Sequence, residues 1–117
     1  MKIFVFSASL REESVNLKLS KLIAKVAEAN GAEVDFARMN DFDMPMYNFD
    51  DQQSSGIPAG AQAMSDRITA ADGMILTSPE YNWLPPATIK NAVDWMSRMQ
   101  PMPLDKKSIL LSSATPS

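Results

Sequence analysis

The sequence predicts an α/β fold, a three-layer unit built on a parallel sheet of four strands. Two observations carry this. Short, continuous apolar runs alternate with stretches of helical periodicity, in the order strand-helix-strand-helix-strand-helix-strand. The central runs lack the in-out alternation of a half-wetted strand, as expected of strands covered on both faces. Such alternation implies right-handed crossovers and parallel strands.

The first run is Ile3, Phe4, Val5 and Phe6, closed by Ser7, Ala8 and Ser9. A helix follows, with Val15, Leu19, Leu22, Ile23 and Val26 at helical spacing, Ser14 as N-cap and Gly31 as stop. Val34 and Phe36 alternate with Glu33, Asp35 and Ala37, the pattern of a half-exposed edge strand. Residues 38–57 are the least regular, and the polar stretch 50–56 reads as a mobile loop. Pro58 opens a second helix, with Ala61, Met64, Ile68 and Ala71 on one face. Asp72 and Gly73 turn the chain into a buried strand, Met74-Ile75-Leu76. Ile89, Ala92, Val93 and Met96 mark a third helix, ended by Pro101 and Pro103, and residues 108–112 form the fourth strand. There is no internal repeat, and the 117 residues read as one domain.

Composition narrows the chemistry. With 45% hydrophobic residues the chain can build one core. A net charge of −3 argues against a nucleic-acid surface and gives no support for a polybasic membrane patch. No apolar run approaches the ~20 residues of a membrane helix, and no signal peptide is read, so a cytoplasmic protein is expected. Cys and His are both absent, which removes thiolate nucleophiles, imidazole bases and Cys/His metal sites. Catalysis by such a chain is easiest with a borrowed cofactor, and no protein catalytic residue or metal ligand is assigned.

Ligands of open α/β sheets bind beyond the carboxyl ends of the strands. Three segments reach that edge: residues 7–14, 78–86 and 113–117. The first joins strand to helix, and its helix N-terminus suits a phosphate. Ser7, Ser9, Ser14 and Asn16 add polar groups and Arg11 a charged fork, with Val15 opening the helix. Neither GxGxxG nor the Walker lysine is present. A phosphate cradle and a plain polar turn with a serine cap fit the spacing equally. Glu12 and Glu13 are expected to face solvent. In the second segment Tyr81 and Trp83 offer flat apolar surface to a ring, and Asn82 and backbone amides can read a heterocycle's edge. The alternative is a proline-stiffened connection whose aromatics pack on the core. Trp95 is assigned to packing, Lys90 and Asp94 to a solvated pair, and Glu80 to no acid-base role. The third segment, from Ser113, is either a ligand contact or a frayed end.

Two motifs at these loops resemble the NADPH-dependent FMN reductase family, which includes quinone, azo-dye and chromate reductases. One is Ser9-x-Arg11-x-x-Ser14-x-Asn16. The longer and more specific is Pro79-Glu80-Tyr81-Asn82, then Pro86 and Ile89-Lys90-Asn91-Ala92-Val93-Asp94-Trp95. The resemblance implies a flavodoxin-like fold with strand order 2-1-3-4-5 and non-covalent FMN. It implies phosphate contacts from Ser9, Arg11, Ser14 and Asn16. It sets Pro79, Glu80, Tyr81 and Asn82 along the ribityl chain and ring, and Ser113 at the third flavin-side loop. Hydride would pass from NAD(P)H through flavin to a quinone, azo compound or similar small acceptor, in a homodimer or homotetramer. The alternatives are an FMN-binding electron-transfer module and a non-catalytic interaction fragment.

Two departures stand out. Ala8 replaces the family's usual Gly. The family's later loop, helix, fifth strand and final helix have no counterpart here. The expectation is an open fourth strand, exposed apolar surface and a weakly stable monomer.

Overall fold

The computed structural model describes residues 1–12 and 14–115. Glu13, and the end of the third predicted segment at Pro116 and Ser117, lie outside the described residues. The elements are β1 (Lys2–Ser7), α1 (Val15–Ala29), β2 (Glu33–Arg38), a 3-10 turn (Met39–Asp41), α2 (Phe49–Ser55), α3 (Ala59–Ala70), β3 (Gly73–Thr77), α4 (Ala87–Met96) and β4 (Ser108–Ser112). The sheet is parallel throughout, in the order β2-β1-β3-β4. β2 is an edge, as its alternating pattern predicts.

α1 covers one face of the sheet, and α3 and α4 cover the other. Phe4 and Phe6 point into the α3/α4 layer, where Met64, Ile68, Ala92 and Trp95 complete a fully buried core. The face Ala61-Met64-Ile68-Ala71 read from α3 spacing is the buried one. α3 lies against the 42–48 segment, because a side chain at Gly60 would sit 1.8 Å from the Asp43 carbonyl oxygen. Arg67 on α3 holds β2: Nε donates to Asp35 Oδ2 at 3.0 Å and Nη2 to the Phe36 carbonyl at 3.0 Å, with the guanidinium over Phe4 and Phe42.

The sequence reading needs three corrections. Residues 50–56 are not a structureless loop. Phe49–Ser55 is helical, because Asn48 caps it by accepting from the Asp50 N–H at 2.8 Å and Asp50 and Asp51 favour its first turn. Second, of the five apolar α1 positions read at helical spacing, Leu19 and Ile23 are half-buried, but Val15, Leu22 and Val26 are 42%, 59% and 53% exposed. The helix buries Asn16, Leu17, Ser20 and Ala24 instead. The exposed stripe overlooks Ile75 and Leu110, where no further element packs among the described residues. Third, Ile75 and Leu76 of β3 are half-buried rather than buried, because β4 beside them is open. In β4, Ile109, Leu110 and Leu111 are 39%, 60% and 70% exposed, so the expected apolar edge is present. Ala8 is buried with an ordinary φ, and its N–H bonds the Thr77 carbonyl at 2.9 Å. Glycine's freedom is not required there.

Candidate functional site

Parallel pairing sets the carboxyl ends of the strands in one row. Ser7 is level with Arg38 on one side and Thr77 on the other, and Thr77 is level with Ser112. The loops leaving β1, β3 and β4 therefore converge. Between them lies a cleft of about 290 Å³. Ser9, Arg11, Ser14, Val15 and Asn16 line it from the first loop and α1, Pro79, Glu80 and Tyr81 from the second loop, and Ser113, Ala114 and Thr115 from the third.

The first wall is a capped helix start. Ser14 Oγ accepts from the N–H groups of Asn16 and Leu17 at 3.1 and 3.4 Å, fulfilling the predicted cap. Ser9 Oγ accepts from the Arg11 N–H at 3.3 Å. Among the described residues the Arg11 guanidinium has no partner, so its donors are available to an anion. Glu12 faces solvent, as expected. It is 82% exposed yet pairs with Arg38 at 3.2 Å, on the side of the loop away from the cleft.

Asn16 is tied on all sides. Its Oδ1 accepts from the Ala114 N–H at 2.9 Å and its Nδ2 donates to the Ala114 carbonyl at 3.2 Å. Its own carbonyl accepts from the hydroxyls of Ser20, at 2.9 Å, and Thr77, at 3.3 Å. Ser20 and Thr77 are also in direct contact with each other. A buried polar network thus links α1, β3 and the loop after β4. Ser113 and its neighbours are consequently held at the cleft instead of forming a loose end.

The second wall is a tight hairpin. Tyr81 and Leu84 exchange backbone hydrogen bonds of 2.9 and 3.1 Å around Asn82 and Trp83, whose φ values are +55° and +69°. Two left-handed residues in a two-residue turn match the I′ type, which favours Asn and Gly. Trp83 is a bulky residue in a strained conformation and is 92% exposed. Glu80 Oε1 accepts from the Trp83 N–H at 2.6 Å and clamps the turn, consistent with its having no acid-base assignment.

Beyond Pro79, Glu80 and Ser113 a second, more open cleft of about 530 Å³ continues the first. Leu76, Leu84, Pro85, Ile89, Leu111 and Trp83 make it largely apolar. The composite is polar with a free cation at one end and apolar at the other.

Two predicted site residues stand apart. Ser7 is fully buried beneath the cleft and lines neither part; its hydroxyl has no hydrogen-bond partner among the described residues. Asn82 lines neither part and supplies the turn's geometry. The Asn91–Trp95 half of the long motif serves packing, as read for Trp95. Asn91 Nδ2 and Trp95 Nε1 both donate to the Pro45 carbonyl, at 3.0 and 2.8 Å, while Asn91 Oδ1 accepts from the Tyr47 N–H at 2.7 Å. Lys90 and Asp94 form the predicted exposed pair at 2.6 Å. Arg38 escaped the sequence reading. The signal for it was an arginine at the carboxyl end of the strand paired with β1. Among the described residues no group of carboxylates could hold a metal, and no helix is long and apolar enough to cross a membrane.

The chain is similar to known proteins. The quinone reductase of Escherichia coli (strain K12) is 36% identical over 115 residues, 98% of this chain and 60% of the relative. A 2-hydroxy-1,4-benzoquinone reductase from Burkholderia sp. is 37% identical over 98 residues, 84% of this chain and 51% of the relative. Among solved structures, the flavoenzyme FerB from Paracoccus denitrificans, an NAD(P)H:(acceptor) oxidoreductase, superposes with a TM-score of 0.82 at 32% identity, covering 99% of this chain and 62% of that one. The chain thus spans between 51% and 62% of the length of these relatives. The family model for NADPH-dependent FMN reductase matches residues 1–117. This chain, with its flavodoxin-like sheet and three convergent loops, belongs to the NADPH-dependent FMN reductase family.

Proposed function

We propose that the composite cleft holds FMN, and that the protein acts as an NAD(P)H-dependent oxidoreductase on a quinone, azo compound or similar small acceptor. The observation that carries this is the cleft's polarity: a capped helix start and a free Arg11 at one end, an apolar trough beside Trp83 at the other. A ligand with an anionic tail and a flat ring fits that order of surfaces.

In this reading Ser9, Arg11 and Ser14 hold the phosphate. Asn16 acts mainly by fixing Ala114, since both of its amide atoms are engaged there. Pro79, Glu80 and Tyr81 border the middle, and Trp83, Leu84 and Leu111 exclude water from one side of the ring. When bound, FMN supplies two-electron chemistry between a nicotinamide and an acceptor. The chain's own part is to bind, orient and shield, which needs neither His nor Cys.

Self-association as a homodimer or homotetramer belongs to the same proposal. The exposed apolar residues of β4 and α1 support it.

Titrating the protein with FMN, while following flavin fluorescence and the visible spectrum, tests the binding step. Saturable quenching is expected, and its absence overturns the proposal. NAD(P)H oxidation with a quinone tests the activity. Flavin bound without nicotinamide turnover would leave a flavin-binding module.

A further inference from the structure

The corner after β2 grips the outside of the first loop at three successive residues. Asn40 Nδ2 donates to the Leu10 carbonyl at 3.4 Å. Arg38 Nη2 donates to the Arg11 carbonyl at 3.3 Å, and Nη1 to Glu12 Oε2 at 3.2 Å. The Arg38 side chain is only 19% exposed. Its backbone N–H bonds Asp41 Oδ2 at 2.8 Å, which fixes the corner itself. Arg38 does not line the cleft.

A trans peptide points its C=O and the following N–H in opposite directions. Carbonyls of Leu10 and Arg11 held against the corner therefore turn the N–H groups of Arg11 and Glu12 the other way. The Arg11 N–H does meet the Oγ of Ser9, a cleft-lining residue. The guanidinium also draws the Glu12 carboxylate outward, which removes a negative charge from beside an anion-binding loop.

We infer that Arg38 is a positioning residue for the anion loop. It pins the loop's carbonyl edge and neutralises Glu12, so that Arg11 and the loop amides are presented to a phosphate. This rests on the flavin-phosphate reading of the cleft, and its test separates the two.

Dissociation constants for FMN and riboflavin would be measured on the wild type, Arg38→Ala, Arg38→Lys and the double variant Arg38→Ala/Glu12→Gln. Amide hydrogen exchange of residues 9–16 would be followed on the same proteins without ligand. Arg38→Ala is expected to weaken FMN about tenfold while leaving riboflavin within about twofold. Adding Glu12→Gln should recover about threefold, because the unneutralised carboxylate is gone. Arg38→Lys should fall between wild type and Arg38→Ala, and exchange in 9–16 should rise in Arg38→Ala.

Equal losses for both flavins, or no loss for FMN, would overturn the inference. So would unchanged exchange. If the wild type binds no FMN, the flavin reading fails and the phosphate role falls with it, while the exchange data still decide whether Arg38 holds the loop. Should Arg38→Ala not fold, Arg38→Lys and Asn40→Ala carry the same comparison.

Discussion

The side chain of Asn16 and the backbone of Ala114 form a closed pair of hydrogen bonds, N–H to Oδ1 at 2.9 Å and Nδ2 to carbonyl at 3.2 Å. Ninety-eight residues apart in sequence, they join the first helix to the segment after the last strand. Asn16→Ala should cost about 1–3 kcal/mol in denaturant unfolding, because it leaves the Ala114 groups without their partner. Amide exchange at Ser113, Ala114 and Thr115 should speed up. Asn16→Asp keeps the acceptor but faces a carboxylate to a carbonyl, and is expected to be no better than Ala.

Arg11 is expected to meet only the phosphate. Arg11→Ala should weaken FMN by about 1.5–3 kcal/mol, the range of hydrogen bonds to charged groups, and should spare riboflavin. Parallel titrations of the two flavins check this, and equal losses would place Arg11 elsewhere.

Trp83 sits at φ +69° in a turn suited to glycine. Trp83→Gly should therefore stabilise the protein by up to about 1 kcal/mol, read as a higher thermal midpoint. It also strips the exposed side of the apolar cleft, so flavin affinity should fall for FMN and riboflavin alike. A variant that is both less stable and equally able to bind would contradict this account.

Trp95 is fully buried, meets Tyr47 edge-on at 4.9 Å and donates to the Pro45 carbonyl. Trp95→Ala should cost about 3–5 kcal/mol. Trp95→Phe should cost much less, because Asn91 still donates to Pro45. In calorimetry these losses should appear without a change in the ratio of FMN to riboflavin affinity.

The Arg67 guanidinium should not make stability vary with pH near neutrality. The hydrogen bond that Arg67 donates to Asp35 raises the Arg67 pKa above the ordinary arginine value, with burial opposing and Coulombic attraction to Asp35 and Asp41 assisting. A group raised on folding stabilises fully below its unfolded pKa and loses that contribution only as pH climbs through the folded one, far above neutral. Removing one partner is different. Asp35→Asn removes the charge facing a part-buried guanidinium that still has the Phe36 carbonyl, and should lower the unfolding free energy by about 1 kcal/mol.

The order of the four strands, the helices α1, α3 and α4, the Ser14 cap, the α3 face and the packing role of Trp95 were readable from local pattern, while the short helix Phe49–Ser55 was not. Each of the readable features depends on neighbours a few residues away, and there composition and spacing act directly. Of the residues predicted for the site, all but Ser7 and Asn82 line one or other of the two adjoining clefts. Spacing alone cannot tell which way the last side chain of a strand points.

Contacts between distant segments required the folded chain. The stripe of Val15, Leu22 and Val26 has ideal helical spacing, yet α1 buries Asn16 and Ser20 instead, since the hydroxyl of Thr77 and the backbone of Ala114 are there to satisfy them. Arg38 acquires its grip on the first loop only because parallel register sets it level with Ser7. Helix, strand and cap follow from short-range sterics and hydrogen bonding. Which polar groups are buried, and which apolar ones are left open, depends on partners brought together by the sheet.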